Sequence, residues 1–339
     1  MTPTAHSDLS FAHHATAESQ LSALLHHAAI APINNTGWIR VTGEDRVRWL
    51  NGMVTNSIQQ LESGSGNYNF FLNAQGRIQG DAYIFAEPDA ILLETSHSAV
   101  PAVISLLDRF VIMDDVELTD ISEQQAGLLV IGPQASTLLE SLGLSAASLN
   151  PLHRTQQQWN CLTVTILHAH SPLTPRYEVW ADPSAVTAFV VALQNAGATL
   201  CEPLALENLR ILEGTPLYGT DIHDKELPQE TAQTRALHFA KGCYLGQEIV
   251  ERIRSRGNVH RTFAAFRLEG TLPLPGTALT AEDKPIGELT SIAAVPRDGT
   301  TVQLALGYVR REALERNLPI LYAGGNATPV SLPYRIEAA

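Results

Sequence analysis

The pattern of the chain changes near residue 260, and that change is the tightest limit on what it can fold into. From Thr262 onward, short apolar runs at 263–268, 278–280, 287–295, 302–309 and 330–336 alternate with turns built from Gly, Pro and Asp; one helical stretch falls at 311–317. Strands this short and this closely spaced bury their apolar faces by closing on one another. The expectation for 261–339 is a small antiparallel β-barrel.

Upstream, helices and strands interleave. Residues 16–30 have helical spacing, with Leu21, Leu24, Leu25 and Ala28 on one side. A strand at 38–41 leads through a turn at 42–45 into a helix at 46–51. Strands at 68–72 and 77–85 flank the turn Asn73-Ala74-Gln75-Gly76, where Gly76 can take positive φ, and a third strand follows at 91–94. A helix at 100–111 points Val103, Ile104, Leu107 and Phe110 inward; strands at 116–118 and 128–131 and a helix at 134–142 follow. Residues 142–158 lack periodicity and read as a connection. Strands at 161–167 and 177–180, a helix at 184–194 and an amphipathic helix at 203–213, ended by Gly214 and Pro216, complete the body. Strand–strand–helix occurs twice without a sequence repeat. The class is α+β, divided into an N-terminal extension and helix (1–30), two halves of one body (31–145 and 146–260) and the barrel. Neither Gly132-Pro133 nor Gly143-Leu144 makes a phosphate-binding glycine pattern.

Composition excludes some functions. With 22 Lys+Arg against 35 Asp+Glu, the net charge of −13 argues against broad nucleic-acid binding. Cys161, Cys201 and Cys243 form no CxxC and are odd in number, which points to a reducing compartment, with the cytoplasm as default. Alone they cannot supply a four-thiolate cluster. No apolar run reaches the length of a membrane span, and no signal peptide is expected at the N-terminus. Neighbours in His13-His14 and His26-His27 diverge on a helix, so a solvated face is expected there and no metal site.

The run Lys241-Gly242-Cys243-Tyr244-Leu245-Gly246-Gln247-Glu248 opens a helical stretch continuing to Arg256. Glycines leave a thiol uncovered, and a helix starting at Gly246 would point free N–H groups toward Cys243; those, with the Lys241 charge, would favour the thiolate. The residues themselves equally allow Cys243 to be a small buried apolar group. Arg252, Arg254, Arg256, His260 and Arg261 form the one dense basic stretch, either a local patch for an anion or acidic partner, or neutralised internally by Glu248 and Glu251.

Lys241-Gly242-Cys243-Tyr244, Gly246-Gln247-Glu248 and Arg252 resemble the signature of the YgfZ family, folate-binding relatives of the glycine-cleavage T-protein. Further blocks in the same order resemble that superfamily: Gly43-Glu44-Asp45 with Trp49 through Asn56, Leu72-Asn73 with Gly76-Arg77-Ile78 and Asp81, Arg176 through Trp180, and Arg210 through Gly214 with Pro216 through Asp221. The resemblance implies a folate-binding body around a central cavity, followed by a C-terminal barrel. It implies tetrahydrofolate or a one-carbon derivative as cofactor, with Met53, Asp81, Glu178 and Arg210 on the folate side. It places the functional chemistry at Cys243, framed by Lys241, Gln247, Glu248 and Arg252. Its partners would be iron–sulfur client enzymes or assembly proteins, including enzymes that modify tRNA. Taken without the resemblance, Asp81 and Glu178 are equally exposed strand residues, and Arg210 pairs with Glu207 or Glu213. Ser171-Pro172-Leu173-Thr174-Pro175 stands where the T-protein has a Gly-rich acidic run, which weighs against the alternative of an aminomethyltransferase or other one-carbon transferase. A non-catalytic interaction protein is the third reading.

Overall fold

The structure, a computed structural model, describes residues 15–257 and 259–336, so His13-His14 lies outside the described residues. Helix α1 (Ala17–His26) precedes β1 (Ala29–Ile33), β2 (Thr36–Thr42), α2 (Arg46–Asn51), β3 (Gly66–Leu72), β4 (Ile78–Ala86), β5 (Ile91–Ser96), α3 (Val100–Asp108), β6 (Glu117–Asp120), β7 (Ala126–Ile131) and α4 (Ala135–Ser141). Then come β8 (Arg154–Trp159), β9 (Leu162–His168), β10 (Arg176–Ala181), α5 (Pro183–Asn195), β11 (Thr199–Leu200), α6 (Pro203–Glu213) and α7 (Gln247–Arg256). The last part holds β12 (Arg261–Gly270), β13 (Ala278–Ala281), β14 (Lys284–Arg297), β15 (Thr300–Arg310), α8 (Arg311–Glu315), β16 (Leu321–Tyr322) and β17 (Gly325–Val330). Among the described residues no helix is long and apolar enough to cross a membrane.

Period-two alternation sorts side chains between two sheets. The first sheet runs β3-β4-β5-β2-β6, antiparallel throughout. Its outer face, with Ile39, Val41, Ala82, Ile84 and Leu93, packs on α2 and α3. The second runs β11-β1-β7-β10-β9-β8, antiparallel except for the parallel β1–β11 pair. Its Val130, Ile166 and Val179 pack on α4 and α5. The inner faces meet where Trp38 of β2 stands edge-on to Trp180 of β10, ring centroids 5.2 Å apart. The barrel closes in the order β12-β15-β14-β13-β16-β17 around its own core and docks on α1 and α6.

Four sequence expectations need correction. The first helix stops at His26, and 29–33 is a strand. Ala28 and Ile30 face one core while Ala29 and Ala31 face another, so a strand buried on both sides mimics an apolar helix. Phe110 lies beyond the end of α3 and is exposed rather than inward. The stretch read as a connection contains β8, an edge strand whose Arg-Thr-Gln-Gln-Gln-Trp sequence has no apolar alternation to betray it. The last barrel strand is 325–330; the chain after it returns to the body, with the Tyr334 N–H donating to the Leu212 carbonyl at 2.7 Å.

Candidate functional site

The recess between the sheets is built by inner-face alternation. Asp81 and Tyr83 of β4, Glu94 of β5, Arg176 of β10, and the loop residues His170 and Arg235 lie deep in the fold, yet each keeps part of its surface accessible, as side chains lining a concavity do. The Tyr68 hydroxyl donates to Asp81 Oδ2 at 2.5 Å, and the Arg235 guanidinium stacks over the Tyr68 ring 4.2 Å from its centroid. Burial raises the Asp81 pKa, and the Tyr68 hydrogen bond opposes that rise. Glu178, 3% exposed, accepts from Trp180 Nε1 at 3.1 Å and Arg176 Nη2 at 3.4 Å. Burial, then the charge of Glu178 from the facing sheet, holds the Glu94 pKa well above the usual range. Burial, with Arg235 and Arg176 nearby, lowers His170 to about 4, so its imidazole is neutral.

Four buried N–H groups around this recess have no hydrogen-bond partner among the described residues: Trp38 Nε1, Arg154 Nη1, Arg176 Nε and Arg235 Nη1. Arg154 Nε meets Glu87 at 3.1 Å, and its guanidinium lies over the Trp38 ring at 5.4 Å. Carboxyl groups as acceptors beside guanidinium and indole N–H groups as donors can read a flat heterocycle with mixed hydrogen-bonding edges. Those orphaned donors and the adjacent acid groups suit such a group.

The signature loop is organised by a different device. Lys241 Nζ donates to the carbonyls of Asn51, Val54 and Asn56 at 2.7, 2.7 and 2.6 Å. Burial pushes the ammonium down to about 7, whereas three carbonyl acceptors favour it, because neutral amine has only two N–H groups. The expected role of Lys241 as the charge beside the thiol is thereby corrected: its ammonium is turned into the 51–56 turn that carries half-buried Met53. The Leu245 N–H donates to Gly52 O at 3.0 Å, and Thr55 Oγ1 to Ala236 O at 2.7 Å, completing the stitching. Cys243 is left exposed, and nothing lies within 4 Å of where a Gly242 Cβ would be.

Gly246 precedes α7 with φ +82°, and a Cβ there would meet Asn73 O at 2.6 Å; a Cβ on Gly76, φ +70°, would meet Ile249 Cβ at 2.8 Å. The 73–76 turn and the start of α7 thus approach too closely for side chains, tying two separate sequence motifs together. Gln247 opens α7 half-buried; Glu248 and Arg252 pair with each other at 2.7 Å on its exposed face.

Arg210 is also corrected. It donates from Nε and Nη2 to Glu207 (2.8 and 2.6 Å), from Nη1 to Thr215 O and Asp221 (both 2.7 Å) and from Nη2 to Ser291 Oγ at 2.6 Å. Those contacts use all five N–H groups, and Ser291 belongs to β14, so the guanidinium clamps body to barrel. Glu213 is instead bonded by the Ser171 hydroxyl. Of the basic stretch, Arg252, Arg254 and Arg261 are paired with Glu248, Glu251, Glu226 and Glu230, so internal neutralisation prevails; the Arg256 side chain lies outside the described residues.

Of the residues singled out in the sequence, Asp81 and Glu178 share the recess; Lys241 and Met53 share the turn beside it; Cys243, Glu248 and Arg252 are on the surface. Tyr68, Tyr83, Glu94, Arg154, His170 and Arg235 were missed. For Tyr83, Glu94 and Arg176 a signal existed: polar groups at every second position of otherwise apolar strands. For Arg154, His170 and Arg235, in a polar strand or in loops, there was none.

A family model described as GCVT N-terminal domain matches residues 3–241, and one described as CAF17, C-terminal beta-barrel domain, matches 261–336. A chloroplastic protein of Arabidopsis thaliana, provisionally named a transferase, is 24% identical over 298 residues, 87% of this chain and 68% of that protein. An aminomethyltransferase of Nostoc sp. is 25% identical over 298 residues, 84% of this chain and 77% of that protein. The glycine cleavage system aminomethyltransferase T of Bartonella henselae superposes with a TM-score of 0.83 at 19% identity, covering 94% of this chain and 89% of that one; this likeness is one of fold.

Proposed function

The chain belongs to the GCVT N-terminal domain family and ends in a CAF17-type barrel, and from that premise we propose that it is a tetrahydrofolate-binding protein of the YgfZ type. The observation that carries the reading is the meeting of Asp81, Glu94 and Glu178 with unpartnered Arg and Trp N–H groups in one recess. In this reading the aminopyrimidinone edge of the pterin donates to the glutamates, and its oxygen and ring nitrogens accept from the guanidiniums. Asp81, held by Tyr68, exchanges a proton with a folate nitrogen; burial raises its pKa, which makes it a better proton acceptor than an exposed carboxylate. Folate, when bound, supplies a one-carbon carrier. Met53 borders the ligand through the turn that Lys241 holds.

Cys243 serves a separate step at the surface, where a partner can reach it. We read that step as support for the assembly or repair of iron–sulfur enzymes, tRNA-modifying ones among them, with iron or the cluster as cargo and the remaining ligands from the partner. Calorimetric titration of tetrahydrofolate into wild type, Asp81→Asn and Cys243→Ala tests this. Binding that Asp81→Asn weakens and Cys243→Ala leaves intact supports it; absence of heat and of thermal stabilisation in the wild type ends the folate reading. Ammonia release above background from an aminomethyl donor would instead favour the aminomethyltransferase activity that its relatives' names carry.

A further inference from the structure

The 51–56 turn is held from two sides. From the signature loop, Lys241 Nζ donates to the carbonyls of Asn51, Val54 and Asn56, and the Leu245 N–H donates to Gly52 O. On the recess side, Asn56 Nδ2 donates to the Arg235 carbonyl at 2.9 Å and to that of Tyr68 at 3.2 Å. Thr55 Oγ1 donates to Ala236 O at 2.7 Å and accepts from the Phe70 N–H at 2.9 Å. The Arg235 side chain is steered by its own loop and by ring faces. Its Nε donates to Gln233 Oε1 at 3.0 Å, and its guanidinium lies 4.2 Å from the Tyr68 ring centroid and 5.3 Å from that of Tyr83. Ring faces attract a cation without fixing where along the face it stops. Arg235 Nη1 is buried and has no hydrogen-bond partner among the described residues. The backbone at 235 therefore sets where that free donor stands.

We propose that Lys241 is a positioning residue for the ligand of the recess, acting through Asn56 on Arg235. An ammonium carries three N–H groups on one atom, so it gathers three carbonyls of the turn at a single point. That fixes Asn56, Asn56 fixes the backbone of Arg235, and the free Nη1 N–H is placed to donate to an acceptor atom of the ligand, a carbonyl oxygen or ring nitrogen. Lys241 does not itself touch the ligand. A donor displaced by about 1 Å loses most of a directional hydrogen bond, so a loosened turn is felt in the recess. The proposal accounts for a signature lysine that turns away from Cys243. It deepens the folate reading and rests on it for the ligand's identity.

The test is calorimetric titration of tetrahydrofolate into the full chain, with Lys241→Met, Arg235→Met and the double variant. Arg235→Met is expected to weaken binding about 10–100-fold, the worth of one hydrogen bond from a charged donor. Lys241→Met is expected to weaken it about tenfold alone, and by less than about twofold once Arg235→Met is present. Losses that simply multiply, or wild-type affinity in Lys241→Met, overturn the proposal, because a lysine that only stabilises the fold does not lose its effect with Arg235. Should Lys241→Met not fold, Asn56→Ala takes its place in the same cycle with the same expected outcome; it cuts the link to Arg235 and leaves the turn its lysine. A second measurement needs no ligand. The Arg235 Nε–H proton resonance, identified by its loss in Arg235→Met, is expected to carry a ring-current shift from Tyr68. In Lys241→Met and Asn56→Ala it should move toward the position of an unstacked arginine, and an unmoved resonance overturns the proposal. If tetrahydrofolate does not bind at all, the folate reading has failed, and this resonance alone decides whether Lys241 positions Arg235.

Discussion

Two buried ionic clusters among the described residues differ in completeness. At the body–barrel junction, Arg210 spends all five N–H groups on protein acceptors, and Arg261 forks onto Glu226 and Glu230. Thr290 and Ser291 hydroxyls fill Asp221. One hydroxyl there, that of Tyr308, has no partner among the described residues. In the recess between the sheets, three guanidiniums and an indole each retain an N–H with no partner among the described residues, and burial raises the Asp81 and Glu94 carboxyls above their usual range. A complete cluster contributes stability and geometry; an incomplete one carries desolvation that only further hydrogen bonding offsets. On this ground we read the junction as structural and the recess as the candidate site.

The largest expected effect is at the junction. Arg210→Met leaves Asp221 buried without its cation and is expected to cost about 3–5 kcal/mol, read by urea unfolding. Tetrahydrofolate affinity of the folded fraction should stay within a factor of about two. Loss of binding at unchanged stability would break the comparison by making Arg210 a ligand contact. Next is Lys241→Met, which orphans three carbonyls of the 51–56 turn; about 3 kcal/mol is expected, with faster amide exchange in that turn. If the melting temperature does not move, the lysine is not the organiser described here.

Asp81→Asn should weaken tetrahydrofolate about 10–100-fold, the worth of one charge-assisted hydrogen bond, and leave the junction untouched. A smaller effect concerns pH. Glu94 binds its proton more tightly folded than unfolded, so its contribution to stability is full below the ordinary glutamate value of 4.5 and is lost as pH rises through the folded value. Glu94→Gln should therefore raise the melting temperature of the ligand-free protein on the alkaline side and flatten its pH dependence. The reverse order of melting temperatures would mean that Glu94 is ionised in the fold. Smallest of all, Cys243→Ala should change stability by less than about 0.5 kcal/mol. In the native protein an alkylating reagent should label exposed Cys243 and spare Cys201, which burial raises to about 12. Protection of Cys243 would remove the surface role.

Much of this was legible in the residues. The barrel, the α+β body and the helix after Gly246 follow from period, turn residues and caps, because these are local. The failures share one physical cause. Ala29–Ile33 was read as helix because burial on both faces erases alternation, and β8 was missed because an edge strand needs no apolar face. At the site, Asp81 and Glu178 were named from motifs, whereas Arg154 and Arg235 carry no local mark at all. Their importance comes from neighbours brought together by the two sheets.

By itself the sequence determined which residues have the chemistry: the acids, the guanidiniums, the thiol and the glycines. Only the tertiary structure decided which of them are spent. Arg210 stands in the last turn of α6 and Arg176 opens β10, and neither local sequence says how many of their N–H groups are spent. One meets Glu207, Asp221 and Ser291 and is saturated; the other reaches Glu178 and keeps a buried N–H without a partner. Hydrogen bonds saturate at short range, so the count of free donors depends on contacts between elements far apart in the chain.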